Sequence, residues 1–224
     1  NLLYQNSGFP DPEINLKMGD RIKSSALSFE NLMKQTRDIE GIFLPNSRKS
    51  YYSSVNFILL GEIAERIEKI SLSEIFENII FKPLAMNKSY LSKEGKYLPK
   101  CYFKNNYIDL SKRVIASKGA GGGISSSEDL MIFIKAFFEG SLFDKNLLDN
   151  SEYLILPKSF GPIKYGRGYM GIDFNNDRYL GHNGISGSFA FANLEKNLYI
   201  TGSFNQLAKQ SITVDLLEDI NGIF

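Results

Sequence analysis

A chain of 224 residues is long enough for one sizeable hydrophobic core or two tightly joined lobes. Its 43% hydrophobic and 23% charged residues are ordinary for a globular protein. The 26 basic and 25 acidic side chains leave a net charge of +1 and no basic stripe, which argues against a nucleic-acid partner, and no apolar run is long enough to cross a bilayer.

The opening Leu2-Leu3 reads as the end of a helix stopped by Ser7-Gly8 and Pro10, followed by a polar loop over 11–24. Leu27, Leu32 and Met33 mark a short amphipathic helix that Ser28 can cap. Ile42-Phe43-Leu44 reads as extended, because Pro45 pushes the residue before it out of the helical region. After Tyr52-Ser53-Ser54, the run Phe57-Ile58-Leu59-Leu60 continues at Ile63, Ile67 and Ile70, which is helical spacing. Ser71 and Glu74 form a capping box for a second helix with apolar positions Ile75, Phe76, Ile79 and Ile80, ended by Pro83.

Residues 87–118 are irregular, and no element is assigned to them. Ser125 through Glu128 reads as another capping box, opening a helix with a buried face of Leu130, Phe133, Ile134, Phe137 and Phe138 and a stop at Gly140. From Tyr165 onward, Gly, Asn and Asp punctuate short β segments at 168–174, 178–182, 187–194 and 197–204, with a hairpin turn at Glu195-Lys196-Asn197. Ile212 to Ile220 closes as an amphipathic helix. Helices first, then antiparallel strands and a last helix, make an α+β protein.

Few residues stand out chemically on their own. Cys101 is the only cysteine, so no internal disulfide forms, and its surroundings suit a packing residue better than a nucleophile. His182 is the only histidine and has no neighbouring ligand residues, so neither a metal nor a cofactor is expected. Gly121-Gly122-Gly123 lacks the Gly-Lys-Ser/Thr ending of a phosphate loop.

Five stretches taken together are more informative. They are Leu2-Leu3-Tyr4-Gln5-Asn6-Ser7-Gly8-Phe9-Pro10-Asp11, Tyr52-Ser53-Ser54, Phe81-Lys82-Pro83-Leu84-Ala85-Met86, Gly119 through Leu130, and Gly181-His182-Asn183-Gly184. In order and spacing they resemble the serine β-lactamase-like hydrolases: class C β-lactamases, D-Ala-D-Ala carboxypeptidases and related esterases. The matching segments there are "LLxHTSGLPD", Tyr-x-Asn, "PLGM", "AGGLxSTAxDL" and His/Lys-x-Gly.

The resemblance implies a β-lactamase/transpeptidase-like fold, an antiparallel sheet flanked by helices plus a mostly helical lobe, with 1–224 a single domain. It also implies acyl transfer through a serine in a Ser-x-x-Lys motif. Tyr52 and His182 would be the catalytic residues of this chain, Tyr52 as base and proton shuttle on the helical side of the cleft and His182 on the sheet side. Ser54, Asn183 and Gly184 would contact a small-molecule or peptide substrate, and the backbone N–H of Ile185 would donate to the oxyanion.

No serine of this chain begins a Ser-x-x-Lys motif. The expectation is therefore a chain truncated before its nucleophile segment; the alternative is a non-catalytic module binding a peptide or cell-wall fragment. Ser54 stands at the family's Asn position, where a hydroxyl lacks an amide's reach and two donors. Asn56, two residues on, lies on another helix face and substitutes poorly. The family suggests a periplasmic or secreted location, while the lone cysteine equally fits the cytoplasm.

Overall fold

The helical half is built on α3 (Ser54–Glu68), whose stripe of Val55, Ile58 and Leu59 packs on Leu32 and Met33 of α2 (Phe29–Asp38). A computed structural model describes the chain except at residues 15, 24–27, 94–97, 149–153, 156–162, 176 and 224, and gives only the backbone at 21–23, 154 and 155. Leu27 lies outside the described residues; Ser28 caps α2 as expected, accepting from the Asn31 N–H at 3.3 Å. The Ser71/Glu74 capping box is present and opens α4 (Leu72–Phe76). From there the expected stripe fails. Glu77–Phe81 widens into a π-turn, with Lys82 N–H bonding the Glu77 carbonyl, and the extra residue rotates Ile79 out to solvent.

Several local readings need correction. Residues 11–24 include a helix, α1 (Met18–Lys23), too short to display a period and carrying Gly19 in its first turn. Ile42 and Phe43 form a bend. The chain turns at Gln5 rather than at Ser7-Gly8: Gln5 is left-handed at φ 56°, its N–H bonds Leu2 O, and Asn6 N–H bonds Asn1 O. That bond pair is the Schellman pattern of a helix C-terminus.

Residues 87–118, left without an element, hold β1 (Tyr90–Leu91), β2 (Cys101–Phe103), β3 (Asn106–Ile108) and α5 (Ser111–Ser117). Strands of two or three residues are too short for alternation and exist through their partners: β2 with β3, and β1 with β4 (Gly123–Ile124). Cys101 is buried in β2, and burial pushes its thiol up.

The next helix, α6 (Ser127–Glu139), ends at Gly140 as expected, but its cap lies one residue later. Ser126 accepts from Asp129 N–H at 3.2 Å, while the Ser125 hydroxyl pairs with Ser89. The buried Asp129 carboxylate reaches across to Lys88 N–H and the Ser89 hydroxyl, fastening α6 to the start of β1.

The sheet-forming half runs β5 (Leu154–Ile155), β6 (Ile163–Tyr165), β7 (Met170–Phe174), β8 (Asp177–Asn183), β9 (Ser188–Asn193) and β10 (Leu198–Ser203). It is a six-stranded antiparallel meander in which every strand pairs with its sequence neighbour. The last four strands match the expected segments, whereas β5 and β6 gave no β signal in the sequence. Residues alternate across the sheet. Tyr179 and Phe191 join Leu217 of the last helix, α7 (Ser211–Asn221), while Leu180, Ala190 and Ala192 pack with Ile134 and Phe138 of α6. The sheet is thus flanked by helices beside a helical lobe, the expected α+β architecture.

Two glycines permit close approaches, one within each half. A Cβ on Gly119 would lie 2.6 Å from the Phe57 carbonyl on α3, and one on Gly181 would meet the Ala190 carbonyl at 1.9 Å. No helix among the described residues is long and apolar enough to cross a membrane.

Candidate active site

Tyr52 stands on the extended residues entering α3, and the surrounding polar groups fix that entry. The cap residue Ser53 makes no capping bond; its hydroxyl donates to the Pro10 carbonyl instead. Asp11 fulfils the role from a distance. Its buried carboxylate accepts from Ser54 N–H at 2.8 Å and from Glu13 N–H at 2.9 Å, placing negative charge at the helix N-terminus.

Gln5 holds both residues flanking Tyr52. Its carbonyl accepts from Tyr51 N–H at 2.8 Å, and its side-chain Oε1 accepts from Ser53 N–H at 2.9 Å and from the Asn56 amide. Ser7 donates to Asn56 Oδ1 at 2.6 Å. Asn56 is thereby fully buried and committed inward, as its helix position suggests. Ser54 is half-buried, with its N–H bound to Asp11.

His182 lies on β8 near its C-terminal end. Its Nδ1 is 2.8 Å from the Asn183 carbonyl oxygen and its Nε2 3.2 Å from the Tyr165 hydroxyl. Burial lowers the imidazole's affinity for a proton below the ordinary level, with the Asn183 carbonyl pulling weakly the other way. Tyr165 is fully buried, and burial, followed by neighbouring Tyr52, raises its phenol well above the usual tyrosine value.

The three rings form a triangle: Tyr52–His182 6.1 Å, Tyr52–Tyr165 6.1 Å and Tyr165–His182 6.0 Å between centroids. Tyr52 and His182 are therefore brought together from opposite parts of the sequence. Tyr165 completes the group, and the sequence reading missed it. Its only signal there is the Tyr165-Gly166-Arg167-Gly168 turn, in which Gly166 N–H bonds Tyr169 O and Gly168 N–H bonds Gly166 O.

Asn183 alternates to the other side of β8 from His182 and is 7% exposed, opposite Phe189, with its Nδ2 unpartnered. Gly184 N–H bonds the Ser188 carbonyl at 2.7 Å. The Ile185 carbonyl accepts from Ala208 N–H, while its own N–H finds no acceptor among the described residues. These residues also present no cluster of His, Cys, Asp and Glu able to hold a metal ion.

A model of the beta-lactamase family matches residues 1–216. Solved structures share the fold. A D-stereospecific amidohydrolase from Streptomyces sp. superposes with a TM-score of 0.75 at 22% identity, over 92% of this chain and 66% of that one. The D-amino acid amidase from Ochrobactrum anthropi SV3, complexed with L-phenylalanine amide, gives 0.75 at 18% identity over 100% and 71%. A penicillin binding protein from Bacillus halodurans gives 0.76 at 18% over 100% and 72%. The chain thus spans less than two thirds of the length of the amidohydrolase. With a family match over nearly its whole length and the matching fold, the chain belongs to the beta-lactamase family.

Proposed function

We propose that this chain, as a single domain over 1–224, carries the Tyr52 and His182 walls of a serine hydrolase acting on an amide, ester or lactam. The observation that most supports this is the meeting of the Tyr52 and His182 rings at 6.1 Å, one at a helix start and the other on a central strand. The nucleophile would be a serine of a Ser-x-x-Lys motif, which these residues do not contain. Tyr52 takes the proton of that serine as its oxygen bonds to the substrate carbonyl carbon. It returns the proton to the leaving amine or alkoxide as the acyl–leaving-group bond breaks. Water then hydrolyses the acyl-enzyme.

A phenol ordinarily titrates near 10, so it needs a neighbouring cation to act as a base. His182, kept neutral by burial, does not supply one at pH 7, which leaves the role to the motif lysine. Ile185 N–H is free to donate to the oxyanion, and Ser54 together with the strand backbone at Asn183 and Gly184 are the proposed substrate contacts. Similarity to the amidases suggests small amide or peptide substrates. Ser54 at the family's Asn position speaks against assuming β-lactams or acyl-D-Ala peptides.

The test is fluorophosphonate labelling of the protein expressed from its complete gene, with peptide mass spectrometry. An adduct on a Ser-x-x-Lys serine is expected, and Tyr52→Phe should lower turnover about 10²–10⁴-fold. Wild-type turnover in Y52F rejects the assignment of Tyr52. A protein with neither adduct nor motif is instead a binding module using the same cleft.

A further inference from the structure

We infer that Tyr165 is a positioning residue that locks His182 in its neutral Nδ1–H tautomer, its hydroxyl donating to Nε2 at 3.2 Å. The two ring nitrogens have different partners, and those partners decide the tautomer. Asn183 offers Nδ1 a carbonyl oxygen at 2.8 Å, which can only accept and so favours the proton on Nδ1, and a donor at Nε2 makes that preference complete. Nε2 then holds a lone pair, and the group facing it is the Tyr165 hydroxyl.

The direction of the Tyr165 proton follows from its other neighbour. The Gln5 amide faces the phenol without reaching a hydrogen bond of normal geometry. Gln5 Oε1 is already occupied by Ser53 N–H and the Asn56 amide, so Gln5 turns its donor end, Nε2, toward Tyr165. A donor cannot take the phenol's proton, and His182 Nε2 can. The order is Tyr165 O–H to His182 Nε2, then His182 Nδ1–H to Asn183 O. Full burial of Tyr165 keeps its hydroxyl protonated for this task.

The consequence rests on the proposed hydrolase. Both nitrogens of His182 are engaged, so the imidazole brings neither a free proton nor a free lone pair to the cleft. It serves as a fixed neutral wall, and proton transfer falls to Tyr52 alone. Polar contacts on this side then come from the strand backbone at 183–185.

His182 is the only histidine in the sequence, so ¹⁵N-histidine labelling of the full chain gives the signals of one ring. Long-range ¹H–¹⁵N spectra at pH 7 should show a protonated Nδ1 and an unprotonated Nε2. A Tyr165 hydroxyl proton should also give a nuclear Overhauser effect to the imidazole Hε1 or Hδ2. Tyr165→Phe keeps the ring and removes the hydroxyl, and it should convert the single tautomer into a mixture containing Nε2–H. An Nε2–H ring in the wild type overturns the proposal whether or not Y165F folds, as does an unchanged tautomer in folded Y165F. The labelling experiment on the nucleophile can fail while this tautomer persists, so the two readings fall separately.

Discussion

The two residues of the candidate site, Tyr52 and His182, are held in different ways. Tyr52 is fixed by directional polar contacts: Gln5 binds the backbone on both sides of it, and Asp11 binds the first turn of α3. His182 rides on a sheet buried on both faces, by Tyr179, Phe191 and Leu217 on one and by Leu180, Ala192 and Phe138 on the other. Apolar burial contributes more energy per residue but tolerates small shifts. Buried hydrogen bonds contribute less, yet each sets an orientation, and their loss leaves an unpaired group behind. Tyr52 is therefore held for angle and His182 for stability.

The comparison can be broken most strongly from the sheet side. Phe191→Ala removes a fully buried ring at the centre of the sheet and should cost about 3–5 kcal/mol, read by urea denaturation. A loss below about 1 kcal/mol would mean that the sheet is not what stabilises this half. On the Tyr52 side, Gln5→Ala should cost less, about 1–3 kcal/mol in all, because the vacated side-chain space admits water to the two donors it leaves. If the polar net sets Tyr52, Q5A should lower kcat of the complete protein more than its stability loss explains; an unchanged kcat would show that α3 alone fixes the residue.

The smallest effect sharpens the contrast through pH. The imidazole has Tyr52 and Tyr165 against it, and burial lowers its folded-state proton affinity below the ordinary 6.5. Above pH 6.5 the neutral ring carries its full contribution. As pH falls below that value, the unfolded chain takes up the proton first, so stability declines until the folded ring also titrates. Urea midpoints between pH 7 and 5 should show this decline in the wild type and a flatter profile in His182→Gln. Parallel profiles would mean that the ring is already solvated in the fold.

How legible these two walls were differs for the same physical reason. The last four strands of the sheet declared themselves through Gly, Asn and Asp punctuation, which is a local signal, as were the Ser71/Glu74 box and the α3 stripe. The residues that hold Tyr52 act across a long separation: Asp11 caps a helix 43 positions away, and Gln5 reaches Asn56 across 51. No spacing rule reports such bonds. Tyr165 was hidden because a three-residue strand has no period and its Gly-x-Gly neighbour reads only as a turn. Three consecutive serines left the α6 cap ambiguous by one position, and only the Ser89 and Asp129 contacts decide it.

The meander has a bearing on how the chain assembles. Each strand of the large sheet pairs with the next in sequence, so the sheet grows by closing short loops, which costs little chain entropy and proceeds fast. Tyr52 and His182 meet only after nearly the whole intervening chain has been gathered in. Local order thus comes first, and the site, drawn from remote segments, is completed last. A chain stalled partway would hold a formed sheet with Tyr52 and His182 still apart.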